Sequence, residues 1–147
     1  MERILVSMSA RHGAWGAWSR AISLAKRIEA RVYALLVMPR AARGAVGRHV
    51  DGEAALAVRK RLELLIETAK LEGVRIDFFV SEGSYEEEVI RFVEDNKITM
   101  LVVEQREADM RHSDREFSHI QKIRHRIRCR VELVTPRKNQ ELERKEV

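Results

Sequence analysis

Between Glu104 and Ser118 the 147-residue chain reads "EQREADMRHSDREFS", a run of carboxylates, one imidazole and two hydroxyls that contains no glycine. Carboxylates and imidazoles are the groups that hold cations or move protons. Glu104, Glu107 and Asp109 stand at i, i+3 and i+5, a spacing from which oxygen ligands for a cation can converge. Loop acids beside arginines such as Arg106 and Arg111 are ordinarily solvated or paired, so no metal is assigned. His112, His119 and His125 are seven and six residues apart, which does not gather imidazoles as an i, i+4 pair on one helix would. Ser7, Ser9 and Ser118 lack the G-x-S-x-G elbow, and the single cysteine, Cys129, has no recognisable base. There is no Walker sequence and no dinucleotide glycine fingerprint. No catalytic residue, metal or cofactor is therefore assigned, and the expectation is a protein that is not an enzyme.

The elements that must position these residues follow from periodicity. Arg3 to Met8, "RILVSM", and Arg31 to Met38, "RVYALLVM", are near-continuous apolar runs, as strands covered on both faces require. Between them Trp15, Trp18, Ile22, Ala25 and Ile28 recur at helical spacing. Two tryptophans three apart could stack bases, but on an amphipathic helix they read as core, with Trp15 the more exposed of the two. His12, just after the first strand, is placed near a ligand mouth, though as an exposed residue at the start of a helix.

Pro39 to Gly52 reads as the one long loop, and a helix is expected from Glu53 to Glu72 with Val58, Leu62, Leu65, Ile66 and Ala69 inward and Gly73 as its C-terminal cap. Val74 to Val80 alternates before turning apolar, as a strand near a sheet edge does. Ser84 and Glu87 form an S-x-x-E capping box, and Glu86 to Glu88 suit the positive end of the following helix, which buries Tyr85, Val89, Ile90 and Val93 and ends near Asn96. "ITMLVV" from Ile98 is a fourth strand. A last helix from about Ser113 to Arg126 aligns Phe117, Ile120, Ile123 and Ile127, and Arg130 to Thr135 is a fifth strand stopped by Pro136. The domain is thus expected over residues 1–136, with a charged tail at 137–147.

Five strands alternating with four helices imply right-handed βαβ units and an α/β fold whose open parallel sheet is covered on both faces. Such sheets bind ligands beyond the carboxyl ends of their strands. Composition agrees with one soluble domain, 45% hydrophobic and 35% charged. A lone cysteine fits a reducing compartment, and the chain opens directly on a strand with no apolar run near the roughly 20 residues of a membrane span. A cytoplasmic location is expected.

"RILVSMS", "VSEGSYEEEVIRFVEDNKITMLVVEQ" and "IQKIRHRIRCRVELV" together resemble the universal stress protein family, from about Arg3 to Val134. The resemblance implies a Rossmann-like sheet of the adenine nucleotide alpha hydrolase-like type, of order 3-2-1-4-5, and commonly a dimer through the last strand. ATP-binding members carry G-x2-G-x9-G-[S/T] after the fourth strand and an aspartate at the end of the first. Here the spacing is kept while the glycine positions fall on Glu104, Glu107 and Phe117, the hydroxyl is kept as Ser118, and the aspartate position falls on Ser9. Phosphate loops use glycine so that backbone amides can approach the anion. A carboxylate about 5 Å from a phosphate instead costs roughly 3 kcal/mol at an effective dielectric near 20, and Phe117 adds bulk. ATP binding is expected to be lost or much weakened.

The net charge of +5 is concentrated in two segments, each of net +4, from Arg40 to Arg61 and from Arg106 to Arg130. Within the second, Lys122, Arg124, His125, Arg126 and Arg128 surround the inward Ile123 and Ile127, and suit the negative end of a helix. Acids interleave both segments and no nucleic-acid module is present, so a solvated face is the expectation and a surface contacting nucleic acid or anionic membrane the alternative. The leading expectation is a regulatory or scaffolding homodimer in stress response, paired through Val131, Leu133 and Val134 and binding an unidentified protein partner. A pocket for a different small ligand at the mouth of strands one and four is the other reading.

Overall fold

The computed structural model describes residues 1–39, 48–105 and 114–135, with backbone alone for 48–51 and 114–119. Five strands, β1 (Arg3–Ser9), β2 (Arg31–Met38), β3 (Arg75–Glu82), β4 (Met100–Glu104) and β5 (Arg130–Val134), form one parallel sheet of order β3-β2-β1-β4-β5. Helices α1 (Trp15–Ile28), α2 (Arg48–Leu71), α3 (Tyr85–Asp95) and α4 (Asp114–Arg126) alternate with them. This is the Rossmann-like α/β arrangement that the pattern predicts.

Strand alternation sorts the core into two layers. Ile4, Val6, Met8, Val32, Ala34, Leu36 and Val102 meet α1 and α2 on one face, while Leu5, Tyr33, Leu35, Val37, Leu101 and Val103 meet α3 and α4 on the other. The central β1 and β2 are buried along nearly their whole length, whereas β3 and β5 are half exposed, as sheet edges must be. Trp18 is buried in the first layer and Trp15 only partly, its ring covered by the Arg61 guanidinium at 4.4 Å.

Three local expectations need correction. α2 begins at Arg48, inside the segment read as loop, and Gly52 lies within it. Once Ala55 and Val58 anchor the helix in the core, each upstream residue adds a hydrogen bond, and the ~1 kcal/mol penalty of one glycine does not stop it. The rest of the expected loop, residues 40–47, lies outside the described residues, as does the tail from Arg137. Ile28 is 46% exposed and does not continue the α1 stripe, because the chain reverses through Glu29 (φ 54°) and Ala30 takes the place beside the core. Ser84 is the N-terminal cap residue of α3, yet its hydroxyl makes no capping bond, so the expected reciprocal box is not formed. The three acids of that first turn supply the favourable charge instead.

Cys129 is half-buried against the α3/α4 layer, and burial pushes its thiol above the ordinary 9.0. Alkylation by iodoacetamide at pH 8 should be roughly tenfold or more slower in the native protein than in urea, since little thiolate is present. Equal rates would contradict this placement.

Candidate site at the carboxyl ends of β1 and β4

A cavity of about 330 Å³ opens where β1 and β4 end and α1 and α3 begin. Parallel pairing creates it, because Ser9 is in register with Val37 while β4 pairs with β1 only as far as Val6–Val102. The chain after β1 must turn back sharply. The carbonyl of Ser9 accepts from the N–H groups of His12 and Gly13 at 3.3 and 2.9 Å, and the Ser9 hydroxyl accepts from the N–H of Arg11 at 3.1 Å. Gly13 adopts φ +71°, and a Cβ there would stand 2.6 Å from the Trp15 ring, so this turn needs glycine for two reasons.

α1 starts poorly by itself. Its cap residue Ala14 has no side-chain acceptor, and its first turn has no acid. The missing acceptor comes from the other side of the cavity, where Glu104 Oε1 accepts from the N–H of Ala17 at 2.9 Å. A carboxylate on the third amide of a helix satisfies an orphan donor and complements the positive end of the dipole. Glu104 thus stands at the end of β4 as an internal anion facing the ligand mouth.

The cavity's other polar groups are of mixed character, with Arg11 bringing a positive charge to the same lining as Glu104 and Glu86. Ser7, 1% exposed, shares a 2.7 Å hydrogen bond between its Oγ and Tyr85 Oη, joining β1 to the first turn of α3. Gln105, which lines the cavity, is buried, and its N–H donates to the Val134 carbonyl at 2.9 Å. His12 and Glu86 also line it, with Met8, Val37, Val103 and Ile120 as apolar walls. This collection can hold a small ligand by shape, by the hydroxyl pair of Ser7 and Tyr85, and by charged groups of both signs.

Of the residues singled out from sequence, Ser7, Ser9, His12 and Glu104 meet at this cavity. Glu107 and Asp109 lie outside the described residues, as do His112 and the side chains of Phe117, Ser118 and His119. Among the described residues no three His, Cys, Asp or Glu side chains could hold a metal ion. Tyr85, Gln105 and Gly13 were not foreseen as site residues. The position of Tyr85 directly after the third strand, at the carboxyl end of the sheet, was the available signal; for Gln105 there was none. At β5, Leu133 is 39% exposed while Val131 and Val134 already pack partly against the protein's own core. Lys122, Arg124, His125, Arg126 and Arg128 are exposed around the buried Ile123 and Ile127. Among the described residues no helix is long and apolar enough to cross a membrane.

Known structures share this architecture. A universal stress protein family member from Burkholderia pseudomallei superposes with a TM-score of 0.68 at 18% identity, over 90% of this chain and 95% of that one. A universal stress protein from Lactobacillus plantarum gives 0.67 at 17% identity, covering 90% and 97%. One from Archaeoglobus fulgidus, solved in complex with dAMP, gives 0.58 at 13% identity, covering 90% and 97%. At such identities the likeness concerns the fold. No curated protein sequence matches. The family model described as "Universal stress protein family" matches residues 1–134, and with that match over this sheet order and site the chain belongs to the universal stress protein family.

Proposed function

We propose that this chain is a non-catalytic stress-response domain that works by association, as a homodimer and with a protein partner, and that it has lost or much weakened ATP binding. The observation that carries the second part is the Glu104 carboxylate on the Ala17 amide. A negative charge built into the mouth of the cavity repels a triphosphate at the place where the family's motif has glycine. The half-exposed β5, with Leu133 outward, supports pairing through Val131, Leu133 and Val134, since an uncovered edge strand invites a partner strand.

Isothermal calorimetry with ATP and with AMP tests the nucleotide reading. No saturable heat is expected at concentrations up to about 1 mM, which corresponds to binding weaker than roughly 4 kcal/mol. Saturable micromolar binding of either nucleotide would overturn it. Sedimentation of the full chain tests the association, and a strict monomer would count against it.

A second reading is favoured by the cavity itself: at about 330 Å³, lined by the Ser7–Tyr85 pair, Gln105 and the Glu104 carboxylate, it is of the size that takes a small ligand without phosphate, uncharged or cationic. A thermal-shift screen in which neutral or cationic metabolites stabilise the protein while ATP does not would support it.

A further inference from the structure

We propose that the outer face of α2 is a docking surface for a second copy of this chain, paired antiparallel about a two-fold axis between Glu63 and Leu64. α2 spans 24 residues and buries Ala55, Val58, Leu62, Ile66 and Ala69 against the sheet. The diametrically opposite side is where a solvated helix carries charge, yet it presents Leu56, Leu64 and Leu71, which are 52%, 68% and 90% exposed. With Lys60 and Glu67, also exposed, they occupy an arc of about 80° on a helix of 3.6 residues per turn. Leu56, Lys60, Leu64, Glu67 and Leu71 therefore form one stripe about 22 Å long.

The order of residues along that stripe selects its occupant. Reversed on itself about the point between Glu63 and Leu64, the stripe is complementary. Leu56 meets Leu71 of the partner subunit, Lys60 meets Glu67 of the partner subunit, Leu64 meets Leu64 of the partner subunit, and the first two contacts recur by symmetry. A parallel pairing in register would instead set Lys60 against Lys60 of the partner subunit and Glu67 against Glu67 of the partner subunit. Exposed ion pairs stabilise little, so the leucines hold the copies together and the charges choose the direction. α2 packs beside β3, at the opposite edge of the sheet from β5, so this contact is separate from pairing through the last strand.

Leu64→Cys in a Cys129→Ser background tests the proposal, because residue 64 lies beside the two-fold axis. Under mild oxidation the full chain should form a disulfide-linked dimer on a non-reducing gel at least tenfold faster than Arg91→Cys, an exposed position on α3, in the same background. Adding Lys60→Glu should slow the linkage at least fivefold, and adding Glu67→Lys to that variant should restore it. A dimer formed only through β5 leaves Leu64→Cys at the rate of the control. Linkage no faster than the control, or linkage that Lys60→Glu leaves unchanged, overturns the proposal.

Discussion

Gly13→Ala is expected to lower the stability of the folded chain by about 2–4 kcal/mol, the sum of a left-handed backbone cost of 1–2 kcal/mol and of overpacking against a fixed ring. Neither part is easily relieved. At φ +71° the new Cβ lies 2.6 and 2.7 Å from Trp15 Cζ2 and Cε2. Retreat of the ring would undo its stacking under Arg61 and its packing against the α1/α2 layer. The turn could unwind instead, but it would then release the Gly13 amide from the Ser9 carbonyl and shift the start of α1 away from Glu104. Urea denaturation measures the loss directly, and a change below about 0.5 kcal/mol, the range of ordinary surface substitutions, would show that the turn is not constrained as described. Substitution of Gly52, whose Cβ would meet nothing within 4 Å inside α2, is the internal contrast: Gly52→Ala should stabilise by up to about 1 kcal/mol.

The Glu104 series is expected to have the second largest effect, and its order is diagnostic. Glu104→Ala leaves the Ala17 amide without its acceptor and removes a negative charge from the positive end of α1, for a loss of about 1–3 kcal/mol. Glu104→Gln retains an oxygen acceptor without the charge and should fall between. Glu104→Lys sets an ammonium against the helix N-terminus and should be the least stable of the four. The order wild type, Gln, Ala, Lys in denaturation midpoints identifies a helix-capping carboxylate. Equal midpoints would mean that the Ala17 contact stabilises nothing. Since Glu104 lies at the cavity, the same variants tell whether its charge excludes anions: Glu104→Lys should gain affinity for nucleotides relative to wild type, and no gain would separate the capping role from the exclusion of phosphate.

Much of the fold was legible because it depends on period and punctuation. The runs at Ile4–Val6 and Val32–Val37 had to be central strands, since an apolar residue at every position requires cover on both faces. The half-alternating 74–80 segment marked an edge strand, and β3 is one. Gly73, read as a stop signal, ends α2 at φ +91°. Boundaries were harder where no strong breaker stands: the helix crossed Gly52, and Ser84 sits at the cap position without capping, because hydrogen bonds at a helix end depend on side-chain geometry that spacing does not specify.

The site was legible only in part. Glu104 was singled out because it occupies a glycine position, and it was expected simply to face a phosphate. Its actual partner, the amide of Ala17, lies 87 residues away in the chain, and Ser7 and Tyr85 are 78 apart. Sequence by itself determined the alternation of strands and helices, the two-layered core and the family, because these follow from local periodicity and from motif spacing. Only the tertiary structure decided that the unassisted start of α1, the end of β4 and the first turn of α3 meet at one cavity. Parallel pairing brings the carboxyl ends of distant strands to the same edge, and which side chains then reach one another across that edge is set by register, to which no pattern within a single element refers.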